Sequence, residues 1–244
     1  MSRETMIGLG LALVILLLWG GVLAVGLLPA SLPPLAVPAL VGVLSVLHVG
    51  LFVTAHDPMH GTLAPAHPRL NRALGRLCLL AFVGFDYDQM VGPHHRHHLA
   101  PGTSDDPDFD VAHPATFWPW YGCFLRRYVS WRQPAAVLLV LLGGTAIGLS
   151  PVRLALLWVL PCLLASLQLF GCGTFLPHRH GEKFVDPHCA RDQDWPFWAS
   201  LLSCFHFGAR HHLHHLRPDL PWWRLWRGEA GHLVRAAPPA QAAL

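Results

Sequence analysis

Histidine is the residue type in this chain whose number and spacing most directly suggest chemistry. Eighteen of the 244 residues are histidine, and imidazole nitrogen binds iron, zinc, copper and nickel. Many of them fall in three short motifs, one HxxxH pair and two HxxHH runs. Positions i, i+3 and i+4 share one face of a helix, so an HxxHH run can present three imidazoles to one centre. The motif residues are His56 and His60, then His94, His97 and His98, then His211, His214 and His215.

Taken together, the three motifs predict two metal ions. A large set of neutral ligands favours a redox-active pair of iron ions over zinc, although imidazole alone does not name the metal. His178 follows the last apolar segment, where a helix end could deliver a ninth imidazole to the same centre. His206 lies five residues before the third motif and about 140° around a helix from His211. Two roles therefore stay open for it: a residue that packs beside the site, or a metal ligand. His95 and His212 stand between ligands and are interpreted as flanking or surface residues.

Carboxylates near the motifs form a second set of candidates. A metal-bound imidazole normally donates its free N–H to a carboxylate or a carbonyl, which fixes the ring. We expect some of the acidic residues to orient ligands in this way, and none to be a ligand itself. The candidates are Asp57, Asp105, Asp106, Asp192 and Asp194.

The elements that must position these residues are membrane helices. The chain is 53% hydrophobic and 13% charged, against about a quarter charged in soluble domains. Between Glu4 and Asp57 there is no Asp, Glu, Lys or Arg. We therefore predict an all-α integral membrane fold, with four transmembrane helices in two hairpins, interfacial helices and a cytoplasmic histidine-rich cap holding the di-iron site. The predicted spans are 6–28, 35–55, 135–149 and 153–176, all in a single domain, 1–232, before a disordered tail, 233–244.

The apolar pattern also predicts where a shorter segment lies, which side of the membrane the motifs occupy and where the first motif falls on its helix. The apolar stretch 73–85 is too short to span a bilayer, which takes about 20 helical residues, so it is predicted to lie at the interface or to be re-entrant. Four spans leave all three motifs and both termini on one side, and the arginine count makes that side cytoplasmic. Pro58 lies inside the first motif, and because proline is tolerated in a helix's first turn, we expect that motif to begin a helix.

Other functional classes fit less well. A net charge of +3 without a dense basic cluster argues against nucleic-acid binding, and six cysteines without a CxxC pair argue against a zinc ribbon or a disulfide scaffold. A zinc intramembrane protease would need a glutamate next to the first histidine, where this chain has Asp57. A histidine-rich metal transporter stays open as the non-enzymatic alternative, although its ligands should lie near the membrane midplane.

The motifs, their order and their placement resemble the membrane fatty-acid desaturase/hydroxylase superfamily. Within it, the segments TAHDPMHGTLAP, PHHRHHLAPGTSDDPDF, FWPWYGCFLRRY and DWPFWASLLSCFHFGARHHLHHLRP resemble the bacterial β-carotene ketolases. The similarity spans about residues 50–227. It implies two Fe²⁺ ions bound by the eight motif histidines, with His178 as the ninth ligand.

This resemblance also implies a reaction and its partners. The expected reaction is O₂-dependent oxidation of C4 and C4′ of β-ionone rings to ketones. The expected partners are β-carotene taken from the bilayer, membrane lipids and a separate electron donor such as ferredoxin, in the inner membrane of a bacterium. A fatty-acid desaturase or a carotenoid hydroxylase of the same superfamily remains the alternative. Acceptance of 3-hydroxylated rings stays open.

Overall fold

The fold is built from helices. A computed structural model describes residues 2–28, 31–181 and 183–227, and within those ranges it contains helices and their connections but no strand. The predicted tail, 233–244, lies outside the described residues. We number the helices α1 (Arg3–Leu27), α2 (Ala36–Met59), α3 (Pro68–Val83), α4 (Tyr87–Leu99), α5 (Phe117–Tyr128), α6 (Arg132–Ala146), α7 (Pro151–His178), α8 (Phe197–Cys204), α9 (His211–Leu216) and α10 (Trp222–Leu225).

Three of the helices, α1, α2 and α7, are long and apolar enough to cross a membrane. They match three of the four predicted spans. Most of the segment predicted as the remaining span, 135–149, lies in α6, which has 15 residues and ends at Ala146. At 1.5 Å per residue this helix is shorter than a hydrocarbon core of about 30 Å. The described part of the chain therefore contains three full-length candidate spans and one shorter apolar helix.

The first motif lies at the end of α2, so the prediction that it begins a helix is wrong. The helix continues four residues beyond the predicted limit of the span and includes His56 and Pro58. Proline is tolerated there because it removes only one hydrogen bond from the last turn. Gly61 follows with φ of 73°, a left-handed conformation that ends helices and favours glycine.

The helix α7 is continuous but contains two π-helical stretches, Ala155–Val159 and Gly171–Phe175. Each stretch is followed within two residues by a proline, Pro161 or Pro177. A wider turn leaves room for the proline ring, which would clash with a carbonyl of a regular α-helix. Wide turns of this kind occur often at functional sites, and the second one directly precedes His178.

The core surrounds α2. Its central residues Val49, Leu51 and Val53 are buried, and the helix packs against α1, α3 and α7. The polar His48 is accommodated there because its Nδ1 donates to the Leu44 carbonyl at 2.7 Å, while the Trp19 indole approaches its Nε2 at 3.4 Å. The helix α3 has 16 residues and buries one apolar face on α2, consistent with a short helix that does not span the bilayer. The position of α3 on α2 thus brings the next helix, α4, to the end of α2.

Candidate metal centre

Four helices bring their histidines to one place. The end of α2 supplies the first motif, α4 the second and α9 the third, while the last residue of α7 adds a further imidazole. The ring nitrogens that face inward form two groups, each with all its ligand atoms within 4.8 Å of one another. We call them the five-histidine group (His56, His60, His94, His98 and His214) and the four-histidine group (His97, His178, His211 and His215). All nine predicted ligands are members.

The five-histidine group draws on all three motifs. The Nε2 atoms of His60 and His94 are 2.7 Å apart, and those of His98 and His214 are 3.1 Å apart. His56 is buried beneath them, with its ring centroid 4.5 Å from that of His94. The rings therefore point their nitrogens at a common volume rather than at separate protein partners.

The four-histidine group lies next to it and is deeper. All four of its members are buried. The Nε2 atoms of His178 and His211 are 2.8 Å apart, and those of His211 and His215 are 3.1 Å apart. The two groups touch where the rings of His98 and His215 stack, with centroids 4.4 Å apart and an interplanar angle of 27°. Two ions held in these groups would therefore be neighbours.

The protonation of the rings suits metal binding. Burial lowers the pKa of His60 to about 3 and, helped by neighbouring histidines, holds the pKa values of His94, His98, His211, His214 and His215 well below the usual 6.5. At neutral pH these rings are neutral, and a neutral imidazole has one N–H donor and one acceptor nitrogen. So many crowded acceptor nitrogens cannot all find donors among themselves. A cation at the centre of each group satisfies them, so the residues present fit a metal ion.

His97 differs from the other ligand candidates. Its Nδ1 is 3.0 Å from both carboxylate oxygens of Asp106. Burial lowers the pKa of His97, but the hydrogen bond to Asp106 and the charge of Asp108 outweigh it, and the net pKa is raised. Asp106 also accepts hydrogen bonds from the backbone N–H groups of Gly102 and Asp108, at 2.9 and 2.8 Å. These bonds fix the loop that follows α4.

The other predicted orienting residues lie elsewhere. Asp192 accepts from the backbone N–H of His212 at 2.9 Å, which places it at the start of α9. Asp57 is buried, with its carboxylate 3.4 Å from the backbone nitrogen of Trp222. Asp105 and Asp194 are exposed. His206 belongs to neither group and hydrogen-bonds the Ser200 hydroxyl through Nδ1 at 2.8 Å. Within the described ranges, Asp106 alone of the predicted set hydrogen-bonds an imidazole of either group.

A cavity of about 120 Å³ lies against both histidine groups. It reaches His56 and His94 of the five-histidine group and His97 and His211 of the four-histidine group. Its remaining wall is largely aromatic and aliphatic, from α2, α3, α5, α7 and the segment after α8. Examples are Phe52, Phe82, Phe85, Phe124, Leu169, Phe170 and Phe207. A small apolar molecule, or one end of a long one, can thus reach both groups at once.

Comparison with known proteins is decisive about the family. Residues 29–135 and 124–242 match the fatty acid desaturase family model. The chain belongs to the fatty acid desaturase family. It is 41% identical over 229 residues to the β-carotene ketolase of Paracoccus sp. (strain PC1), with 93% of each chain covered. It is 44% identical over 197 residues to that of Paracoccus sp. (strain N81106 / MBIC 01143), with 80% of each covered. A β-carotene ketolase of Haematococcus lacustris is 35% identical over 211 residues, covering 82% of this chain and 64% of that one.

These matches confirm the resemblance inferred from the sequence. The family and the three long apolar helices together indicate a membrane protein. The structure adds residues that the sequence did not suggest. The carbonyl of Cys189 lies 2.7 Å from His178 Nδ1, and a backbone acceptor leaves no signal in a sequence. Asp186 lies 2.7 Å from His212 Nε2. Asp108 lines the cavity beside His97. The sequence feature that could have indicated it is its place in an acidic run with Asp105, Asp106 and Asp110.

Proposed function

We propose that this chain is a di-iron β-carotene ketolase that oxidises C4 and C4′ of β-ionone rings, taking β-carotene through echinenone to canthaxanthin. The observation that carries the proposal is the apolar cavity that reaches both histidine groups. The Paracoccus and Haematococcus ketolases supply the substrate class. Oxidoreductase chemistry on a carotenoid explains why a hydrophobic cavity and a redox-capable ligand set occur together.

The nine histidines of the two groups would hold the two irons, five on one and four on the other. Iron bound there supplies the activation of O₂, with electrons delivered by a separate protein such as a ferredoxin. His211 and His214 stay neutral because burial keeps their pKa values low, and the neutral ring is the form that binds metal. The hydrogen bond from His97 to Asp106 fixes one ring and raises its basicity.

The cavity residues position the substrate. Aromatic side chains from α2, α3, α5 and α7 enclose the ring end of the carotenoid and exclude water from it. The cavity lies among helices that are embedded in lipid on their outer faces, so the long polyene can remain in the bilayer while the ring reaches the histidines. Met59 and Phe207 also line the cavity, and the Phe207 ring contacts His56, with centroids 4.4 Å apart.

The membrane arrangement follows from the same picture. We infer that α6 is a fourth membrane element, because its side chains Leu138, Leu139 and Leu142 are 57%, 72% and 61% exposed. Exposed leucines in such number suit lipid rather than water. Paired with α7, it would form the second hairpin, with both histidine groups on one face of the membrane. The arginine count of the sequence favours the cytoplasmic face of a bacterial inner membrane.

The test is to express the chain in a bacterium that accumulates β-carotene and to analyse its pigments by chromatography with mass detection. Echinenone and canthaxanthin from the wild type, absent from His97→Ala and His214→Ala cells with equal protein in the membrane, are the expected result. Hydroxylated carotenoids without ketones would instead indicate a carotenoid hydroxylase. Unchanged β-carotene beside altered lipid unsaturation would indicate a fatty-acid desaturase.

A further inference from the structure

The cavity contains one feature that binding of β-carotene does not explain. β-Carotene is a hydrocarbon, yet the wall beside His97 includes the carboxylate of Asp108 and the hydroxyl of Tyr128. Burying a carboxylate in an apolar cavity is unfavourable unless hydrogen bonds compensate for the lost water. A carboxylate kept in such a place, 4.0 Å from the Nδ1 atom of His97, points to a ligand that is more polar than the starting hydrocarbon.

Asp108 is held in place independently of any substrate. Its backbone N–H donates to Asp106 at 2.8 Å, and its carbonyl accepts from the Trp120 indole N–H at 2.7 Å. The Tyr128 hydroxyl donates to its Oδ1 atom, and Arg127 donates to the carbonyl of Asp106 at 3.1 Å. The carboxylate therefore has a fixed orientation, with one oxygen turned to α5.

The second oxygen of Asp108 remains available. Its Oδ2 lies 4.0 Å from His97 Nδ1, which is too far for a hydrogen bond, and no other described residue donates to it. Asp106 differs, because both of its oxygens already accept hydrogen bonds from His97 and from the loop backbone. The Oδ2 atom of Asp108 is therefore a free acceptor on the cavity wall, 4.0 Å from Nδ1 of His97 in the four-histidine group.

Ketone formation requires a polar species to remain in this cavity. Converting a ring CH₂ to C=O passes through an alcohol: one oxygen atom of O₂ enters a C–H bond, and the other leaves as water with two electrons and two protons. The alcohol must then present its remaining C–H bond for a second oxidation. One oxygen atom of a second O₂ enters that bond to give a geminal diol, the other leaves as water with two further electrons and two protons, and the diol loses water to give the ketone. In an apolar cavity the O–H group of the alcohol would lack a partner, and the alcohol would tend to leave before the second oxidation.

We propose that Asp108 accepts a hydrogen bond from the hydroxyl of the half-oxidised ring and so retains and orients the alcohol for its second oxidation. Tyr128 acts as a positioning residue, because it holds the opposite carboxylate oxygen. The inference rests on the proposed function. β-Carotene itself offers no O–H group, so this contact affects the second oxidation and not the first.

The test measures products at both oxidation levels in β-carotene-accumulating cells. Asp108→Leu removes the acceptor at similar size, and Asp108→Asn keeps the shape with a weaker, neutral group. We expect the ratio of 4-hydroxylated to 4-keto carotenoid to rise about tenfold in Asp108→Leu, as for loss of one hydrogen bond to a charged group. Asp108→Asn should give a smaller rise. The matched control is Asp105→Asn, an exposed carboxylate of the same loop, which should keep the wild-type ratio.

Two further measurements separate this role from a structural one. Membranes supplied with 4-hydroxylated β-carotene should show a higher KM for the alcohol in Asp108→Leu, with KM for β-carotene unchanged. Tyr128→Phe, which keeps the aromatic packing, should raise the hydroxy-to-keto ratio about two- to threefold, since it releases the orientation of the carboxylate but leaves the acceptor in place. Equal loss of both products, at an unchanged ratio, would show that Asp108 only supports the loop and would overturn the inference. A wild type that forms no ketone would instead refute the proposed function, and the inference with it.

Discussion

The two histidine groups differ in what holds their rings. In the four-histidine group, Nδ1 of His97 faces Asp106 and Nδ1 of His178 faces the Cys189 carbonyl. In the five-histidine group, no described residue hydrogen-bonds an Nδ1 atom, and those of His56, His98 and His214 are buried without a partner. His211 and His215 of the four-histidine group also have buried Nδ1 atoms without a partner. Loop acceptors therefore orient two of the four rings in that group, His97 and His178, whereas the rings of the five-histidine group are held by the packing of α2, α4 and α9.

This difference makes the two sites chemically unequal. A carboxylate behind an imidazole raises the basicity of the ring and fixes its tautomer. The four-histidine group therefore offers one strongly donating ligand, His97 on α4, which is backed by a carboxylate of the following loop, whereas the five-histidine group offers more ligands, none supported in this way. Two irons bound there should differ in affinity and in sensitivity to mutation.

The largest effect is expected from removing one ligand from either group. His97→Ala and His214→Ala should each lower ketocarotenoid yield by more than about 100-fold, the upper range for loss of even an outer-sphere partner. Each should also reduce iron in the purified protein from about two towards one per chain, because the groups are separate sets. Metal analysis and pigment chromatography check this. His67→Ala, an exposed histidine outside both groups, is the control. An iron content equal to that of the wild type in both variants would contradict the assignment of His97 and His214 as ligands.

Removing the support behind His97 should affect the four-histidine group alone. Asp106→Ala removes the acceptor of His97 Nδ1, and the expected loss of metal affinity is about 10- to 100-fold. Mild chelation should then extract one iron per chain from the variant and leave the other. Asp105→Asn, one residue away and exposed, should behave as the wild type. Extraction of both irons at the same rate would show that the groups are not independent.

The pH dependence of iron binding should separate the groups as well. The pKa of His60 is lowered to about 3 by burial, so a proton does not compete with metal at this residue until the solution is strongly acidic. Burial also lowers the pKa of His97, but Asp106 and Asp108 raise it above the usual 6.5 overall. Protonation blocks a ligand, so iron uptake by the four-histidine group should weaken first as pH falls. Metal titration of the apoprotein from pH 8 to pH 5.5 measures this. Loss of iron binding by both groups at the same pH would contradict the prediction.

Much of the site could be predicted because its signals are local. The i, i+3, i+4 spacing of an HxxHH run directs three rings to one side within a single helix, so the motif residues needed no knowledge of the fold. His178 was a weaker prediction, since its place depends on where α7 ends. The apolar segments predicted α1, α2 and α7 for the same local reason, because a long apolar run has few alternatives to a membrane helix.

What the sequence could not provide depends on long-range packing. His97 and His98 are adjacent, yet they belong to different groups, because each is matched with rings from different helices. Asp105 and Asp106 are likewise adjacent, but the turns of the loop bury one and expose the other. The error about Pro58 has a similar origin. Local preference favours a first turn, but a membrane helix already formed upstream extends through the motif.

The smallest expected effect concerns the helix that the groups share. α9 supplies His214 to one group and His211 and His215 to the other, and Asp192 accepts from backbone N–H groups at its start, at 2.9 and 3.3 Å. Loss of such a cap costs about 1 kcal/mol, so Asp192→Ala should lower the melting temperature in detergent by a few degrees, and Asp192→Asn by less. Because one helix serves both groups, the two irons should become equally easier to extract. Selective loss from one group would mean that the groups are coupled to α9 unequally.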